Sequence, residues 1–152
     1  MKFAVLGTVA GLLVAASAVW AADTVQIAPQ QVVDLRVAGM KSLIGNLKTA
    51  STTTDAAVAK AELAKGIDFA NSIPNLFPKG SGPGDQGVTK TRALPEIWTK
   101  PAEFKAAADA LAKALKAASD AAGDKAKFDA AFGDIKKSCG SCHDAFRGKE
   151  TP

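Results

Sequence analysis

The sequence has no tyrosine, one histidine and two cysteines, and aromatic residues make up 6% of its 152 positions. With His143 as the lone imidazole, no Ser–His–acid set can be assembled for acyl transfer. Nor do paired carboxylates stand in an apolar context, so hydrolase and transferase chemistry has no support and the chain is expected not to be an enzyme. The formal charge of +4 is spread along the chain without a basic stripe, which argues against nucleic acid as a partner. Intrinsic disorder is excluded by a hydrophobic content of 47%. What is abundant is alanine, together with lysine, and that composition favours helices over strands. The length suits one compact domain.

The start of the chain reads as a targeting segment. Met1-Lys2 supplies a positive charge, residues 3–20 are apolar and uncharged, and Val19-Trp20-Ala21-Ala22-Asp23 places small residues at −3 and −1 of a cleavage after Ala21. An uncleaved anchor is the alternative, and the small-residue pattern favours removal. The expectation is a signal peptide over residues 1–21, a mature domain over 22–152 and delivery to a bacterial periplasm. No later apolar stretch is long enough to cross a bilayer, so no membrane span is expected after processing.

The mature chain reads as four amphipathic helices. The first, over about 29–49, carries Val33, Val37, Met40, Ile44 and Leu47 as a single buried stripe. The second, over about 55–73, carries Ala59, Leu63, Ile67 and Ala70. Pro74, Pro78 and Gly80-Ser81-Gly82-Pro83-Gly84 then predict a long, flexible crossing, and Pro95-Glu96-Ile97-Trp98 a single turn. A third helix starts near Pro101 with Phe104, Ala108, Leu111, Leu115 and Ala118 inward, and Gly123 ends it. A fourth, capped by Asp124, places Phe128, Phe132, Ile135, Cys139, Cys142 and Phe146 on one face. Four helices of this length predict an all-α, antiparallel up-down four-helix bundle. The alanine-rich stripes fill little volume, so either the helices pack very closely or something else fills the space between them.

The chemistry sits in Cys139-Gly140-Ser141-Cys142-His143, a Cys-x-x-Cys-His motif. Cysteines three apart on a helix project from one face, so both thiols can add to the vinyl groups on one edge of a porphyrin. His143 lies four after Cys139, within reach of the iron. Three other readings compete. A thiol–disulfide redox pair normally accompanies a βαβ pattern, and no strands are predicted. A structural zinc site needs four ligands, and the mature chain offers two Cys and one His. A disulfide three residues apart closes too small a loop to act as a staple. Covalent haem attachment is the reading adopted, and the macrocycle would supply the volume that the alanines do not. Arg36 and Arg92 are candidate partners for its propionates, with a solvated surface charge as the alternative for each.

The inventory limits the iron's other ligand. A second histidine from the same subunit is excluded, and peroxidase chemistry would lack a distal base. Met40 is the only methionine beyond the initiator and lies on the first-helix stripe. It either ligates the iron through its thioether or fills the core. Lys41 lies off that stripe and would have to lose its proton.

These residues resemble the class II c-type cytochromes, the cytochrome c′ family, in which Cys-x-x-Cys-His stands near the C-terminus. Leu35-Arg36-Val37-Ala38-Gly39-Met40-Lys41 is similar to the family's first-helix segment, and Phe77-Pro78-Lys79-Gly80-Ser81-Gly82 to its loop. Pro95-Glu96-Ile97-Trp98 with Pro101-Ala102-Glu103-Phe104 is similar to the opening of its third helix, and Cys142-His143-Asp144-Ala145-Phe146-Arg147 to its C-terminal end. The resemblance implies one covalent haem c held by Cys139 and Cys142, with His143 on the iron, Arg36 near a propionate and Met40 on the distal side. It also implies Arg147 near the proximal face, Trp98 near the haem edge or in the core, and a homodimer through the first two helices. A methionine at the distal position is the mark of the family's low-spin branch. The expectation is therefore a periplasmic one-electron carrier with His143 and Met40 as axial ligands and redox proteins as partners. The alternative is a five-coordinate cytochrome c′ that binds nitric oxide or carbon monoxide.

Overall fold

The structure is a computed structural model and describes residues 27–149. The expected signal peptide lies outside the described residues. Helix α1 runs Pro29–Thr52, α2 Ala56–Ser72, the single-turn α3 Glu96–Thr99, α4 Pro101–Asp120 and α5 Lys125–Phe146. A 3₁₀ turn, Ile73–Leu76, continues α2. No strand occurs among the described residues, and no helix among them is long and apolar enough to cross a membrane.

Local chemistry sets these limits. Proline opens α1 and α4, where its missing N–H costs nothing. The Asp55 carboxylate accepts from the amides of Ala57 and Val58 and caps α2, and Asp124 accepts from Lys127 N and caps α5. Pro74 cannot continue the α-helical ladder, so the expected end of the second helix tightens into the 3₁₀ turn. On the outer faces Lys105 pairs with Asp109 at 2.7 Å, Lys116 with Asp120 at 2.9 Å and Lys125 with Asp129 at 2.7 Å. Such exposed pairs one turn apart add tenths of a kcal/mol each.

The bundle is the expected one, but its packing is uneven. Helix α1 packs on α2, α2 on α4 and α4 on α5, whereas α1 and α5 are not a closely packed pair. Leu43, Leu63, Leu111, Leu115, Ile135 and Phe146 form the centre of the core. The α4 stripe is buried throughout, as its periodicity predicts. The α1 stripe is not. Helix α1 buries Val33, Arg36, Leu43 and Ala50, while Val37 and Ile44 are 46% and 67% exposed. The close α1–α2 crossing accounts for this rotation. The Phe69 ring lies where a Cβ on Gly39 would stand, and a Cβ on Gly66 would come 3.0 Å from Leu43. Absent side chains let the two backbones approach and turn Leu43 inward.

The segment between the 3₁₀ turn and α3 was expected to be flexible, and it is pinned instead. Gly80 and Gly84 adopt positive φ values of 83° and 84°, turns that a Cβ would strain. Arg36 reaches into the segment from α1 and is 4% exposed. Its Nη1 donates to Ser81 Oγ at 3.0 Å, and its Nη2 donates to Ser81 O at 2.8 Å and Thr91 Oγ1 at 2.9 Å. Gln30 Oε1 accepts from Thr89 N at 2.9 Å and Lys90 N at 3.2 Å. The far end clasps the residues after α5: Leu94 N donates to Phe146 O at 3.0 Å and Gly148 N to Arg92 O at 2.7 Å.

Gly39→Ala is expected to destabilise the fold by about 1–3 kcal/mol through overpacking against Phe69. Gly45→Ala, on the same helix with nothing within 4 Å of its Cβ, is expected to stabilise by about 0.5–1 kcal/mol. Urea unfolding of the two variants checks both signs.

Candidate functional site

The uneven packing creates the site. Successive residues on a helix are about 100° apart. On α1, Gly39 faces Phe69 of α2 and Leu43 lies against Gly66 of the same helix. The opposite flank of the α1 stripe, with Val37, Met40 and Ile44, therefore faces the opening between α1 and α5. Met40 is half-buried and packs against the core, as does Leu47. Large apolar side chains left exposed on a helix flank mark a surface meant to be covered.

The α5 wall of this opening carries the motif. Cys139 and Cys142 are free thiols, both half-buried and packed against the core cluster. Burial pushes both above the usual thiol range, and for Cys142 the neighbouring Cys139 adds to it. They stay protonated at neutral pH and are not poised as thiolate nucleophiles. His143 stands one turn beyond Cys139 and is exposed. Partial desolvation first, then the charges of Arg147 and Arg92, hold its pKa below the ordinary imidazole value. The ring is neutral at neutral pH, the form that can donate a nitrogen lone pair to a metal.

The pinned loop sets the two walls in register. Thr91 is bonded to Arg36 on α1, and two residues on, Ala93 pairs with Arg147 just past α5. Arg36 and Arg147 therefore sit at similar height at the loop end of the bundle. Helices α1 and α5 run antiparallel, so one turn inward from these residues lie Met40 on one wall and His143 on the other. Arg147 Nη1 is 3.5 Å from His143 Nδ1, and Arg92 Nε donates to Gly148 O at 2.9 Å. Two guanidinium groups thus flank the histidine end of the cleft.

Met40, Cys139 and Cys142 pack against one core cluster, and Arg92 and Arg147 lie near His143. The other two candidates are placed differently. Both amino groups of Arg36 are bonded to the loop, and its guanidinium carbon lies 4.3 Å over the Phe77 ring. Trp98 donates from Nε1 to Phe77 O at 3.1 Å and Pro78 O at 3.2 Å. Phe77, Phe104 and Phe146 link it toward α5 in edge-to-face contact. Thr91 and Gln30 lie in no motif the sequence shows, whereas Ser81 lies in the Phe77-Pro78-Lys79-Gly80-Ser81-Gly82 segment.

The donor set fits a covalently held haem. Two thiols and one neutral imidazole share a helix face, beside a helix that leaves its apolar flank uncovered. No cluster of three or more His, Cys, Asp or Glu side chains suited to a bare metal ion occurs among the described residues.

Comparison with known proteins agrees. The family model described as "Cytochrome C'" matches residues 30–147. The cytochrome c' of Rhodopseudomonas palustris is 33% identical over 146 residues, 96% of this chain and 97% of that one. A solved nitric oxide complex of a single-site mutant of cytochrome c prime from Alcaligenes xylosoxidans is 28% identical and superposes with a TM-score of 0.69, covering 82% of this chain and 99% of that one. A solved cytochrome c' with an unusual ligand-controlled dimer dissociation superposes with a TM-score of 0.72 at 25% identity, covering 82% and 99%. These relatives overturn the expectation of a one-electron carrier with low-spin iron held by His143 and Met40. They bear the name of the five-coordinate class, and the nitric oxide complex among them fits the gas-binding alternative. The resident cofactor of the family is one covalently attached haem c.

In the haem-free chain, His143 is expected to titrate below an unfolded-chain histidine, and Arg147→Gln to raise its pKa by removing a neighbouring cation. Because the folded pKa is the lower one, the unfolded chain takes the proton first. Stability is therefore expected to fall as pH drops below the ordinary histidine value, about 6.5, until the folded pKa is passed. Proton NMR of the single imidazole across this range checks the shift, and urea unfolding at several pH values checks the slope.

Proposed function

The chain belongs to the cytochrome c′ family, and on that ground we propose that it is an exported haem c protein whose five-coordinate iron binds nitric oxide or carbon monoxide. The observation that carries this reading is the cleft itself. It offers one imidazole, and the wall across from that imidazole is apolar. Met40 packs with core residues there, the setting of a gap-filling thioether, and acts as an apolar cover on the distal side. When bound, haem would supply an iron able to take up a diatomic gas.

Each remaining residue has a role in holding that group. Cys139 and Cys142 would hold the group through thioether links, and His143, whose pKa is held below the ordinary imidazole value, would ligate its iron. Arg92 places positive charge at the loop end of the cleft, complementary to propionates, while Arg36, bonded to Ser81 and Thr91, fixes the loop. Arg147 stands on the histidine side, where it can influence a gas bound on that face. Trp98 acts indirectly, by fixing the loop through its indole N–H. The protein binds its ligand and does not turn it over, consistent with the lack of a second imidazole. The apolar leader and small-residue cleavage pattern support a periplasmic location, and the dimeric neighbour supports a second copy of this chain as partner.

Ferric protein from cells able to attach haem is expected to be high-spin and to lack a sulfur-to-iron charge-transfer band. The ferrous form is expected to bind carbon monoxide, and Met40→Ala to leave the spin state unchanged. A low-spin spectrum that Met40→Ala converts to high-spin would sink this reading. Haem staining on a denaturing gel is expected for the wild type and lost in the Cys139→Ser, Cys142→Ser double variant.

A further inference from the structure

One hydroxyl joins the two walls of the cleft. Thr91 Oγ1 accepts from Arg36 Nη2 at 2.9 Å and from the backbone amide of Ala93 at 3.2 Å. Arg36 belongs to α1, one turn from Met40. Ala93 belongs to the clasp around the end of α5, where Leu94 N donates to Phe146 O and Gly148 N donates to Arg92 O. Arg147, paired with Ala93, follows His143 by one turn. Helices α1 and α5 are not closely packed on each other, and this hydroxyl gives a polar route from α1 to the segment that clasps α5.

We propose that Thr91 is a positioning residue that sets the width of the haem cleft by tying the Met40 wall to the His143 wall through Arg36 and Ala93. The hydroxyl suits this task. An oxygen with two lone pairs can accept from a guanidinium and an amide at once. The guanidinium partner makes one of the two bonds charge-assisted. Arg36 is fixed on its other side by Ser81, so it transmits the position of α1 rather than swinging free. Without the hydroxyl, the Ala93 amide and the Arg36 fork lose their common acceptor. The α1 wall can then move outward, carrying the Met40 cover away from the iron. Thr91 touches no reacting atom and acts only through the two walls.

The inference rests on the gas-binding reading and is tested so that the two can fail separately. The measurement is the association rate of carbon monoxide with the ferrous haem-loaded protein, well below its melting temperature. Thr91→Val keeps the shape and removes the acceptor. It is expected to raise the rate roughly 2- to 10-fold, the kinetic equivalent of one lost hydrogen bond. Thr91→Ser, which keeps the hydroxyl, is expected to restore the wild-type rate, a rescue that loss of general stability would not produce. If Thr91→Val fails to load haem, Arg36→Lys breaks the same tie from the other side while keeping the charge, and the same acceleration is expected. A wild-type protein that binds no carbon monoxide overturns the gas-binding reading. A wild type that binds while Thr91→Val, or Arg36→Lys in its place, matches it overturns the role of Thr91.

Discussion

A ring of four helices closes only when each helix packs closely on two neighbours, and here one of the four pairs is not a close one. Helix α1 packs on α2, α2 on α4 and α4 on α5, but α1 and α5 stay apart. Every functional feature of the chain follows from that open side. It leaves Val37 and Ile44 uncovered on one wall and keeps Cys139, Cys142 and His143 accessible on the other. Each uncovered apolar side chain forgoes about 1.5–3 kcal/mol of burial. A planar apolar group bound between the walls recovers this, so cofactor binding and completion of the core are one event. Covalent attachment suits such an arrangement, because the group that completes the core then cannot be lost.

The open side makes the loop at the end of the bundle structural. A buried cation left without partners costs several kcal/mol, so Arg36 is tolerable in the α1 stripe only because the loop satisfies it. Ser81 and Thr91 supply acceptors, Leu76 O lies 3.4 Å from Nη1, and the Phe77 face covers the guanidinium. The dependence runs both ways. Without Arg36 the glycine-rich segment would have few anchors on α1 besides Gln30. The loop in turn holds the residues beyond α5 and keeps Arg92 and Arg147 near His143. A charge that looks misplaced on a hydrophobic stripe is therefore what aligns the far wall.

Much of this was legible in the sequence. The helix ends follow from Pro29, Asp55, Pro101 and Asp124, whose capping chemistry is local. The α4 stripe is buried as its periodicity requires, because α4 lies between α2 and α5 with no cleft on its inner face. The α1 stripe was misread for a physical reason. Periodicity identifies apolar positions but cannot tell a face covered by protein from a face covered by a cofactor. Val37 and Ile44 stay exposed in the fold, whereas Leu43 and Ala50, one step round the helix, are buried in protein. Arg36 breaks the apolar pattern at a position that is buried, and only its loop partners, 40 to 55 residues away in sequence, reveal why. The loop was read as flexible because glycine and proline signal turns without saying whether side chains elsewhere hold them.

The same distinction explains how Met40 came to suggest an electron carrier. In an inventory, the one soft sulfur in a chain with one histidine is the natural second ligand. In the fold, that sulfur sits on a helix flank whose other large members, Val37, Ile44 and Leu47, are plain hydrocarbons, and it packs against the core cluster, as does Leu47. A thioether among hydrocarbons contributes volume and polarisability whether or not it meets a metal. Ligand supply therefore does not decide coordination. What decides it is how closely the α1 wall is held to the α5 wall, and in this chain those helices are not a closely packed pair while Arg36 is bonded to the loop through Ser81 and Thr91. Coordination number in such a cleft is thus a property of the frame as much as of the residue facing the iron.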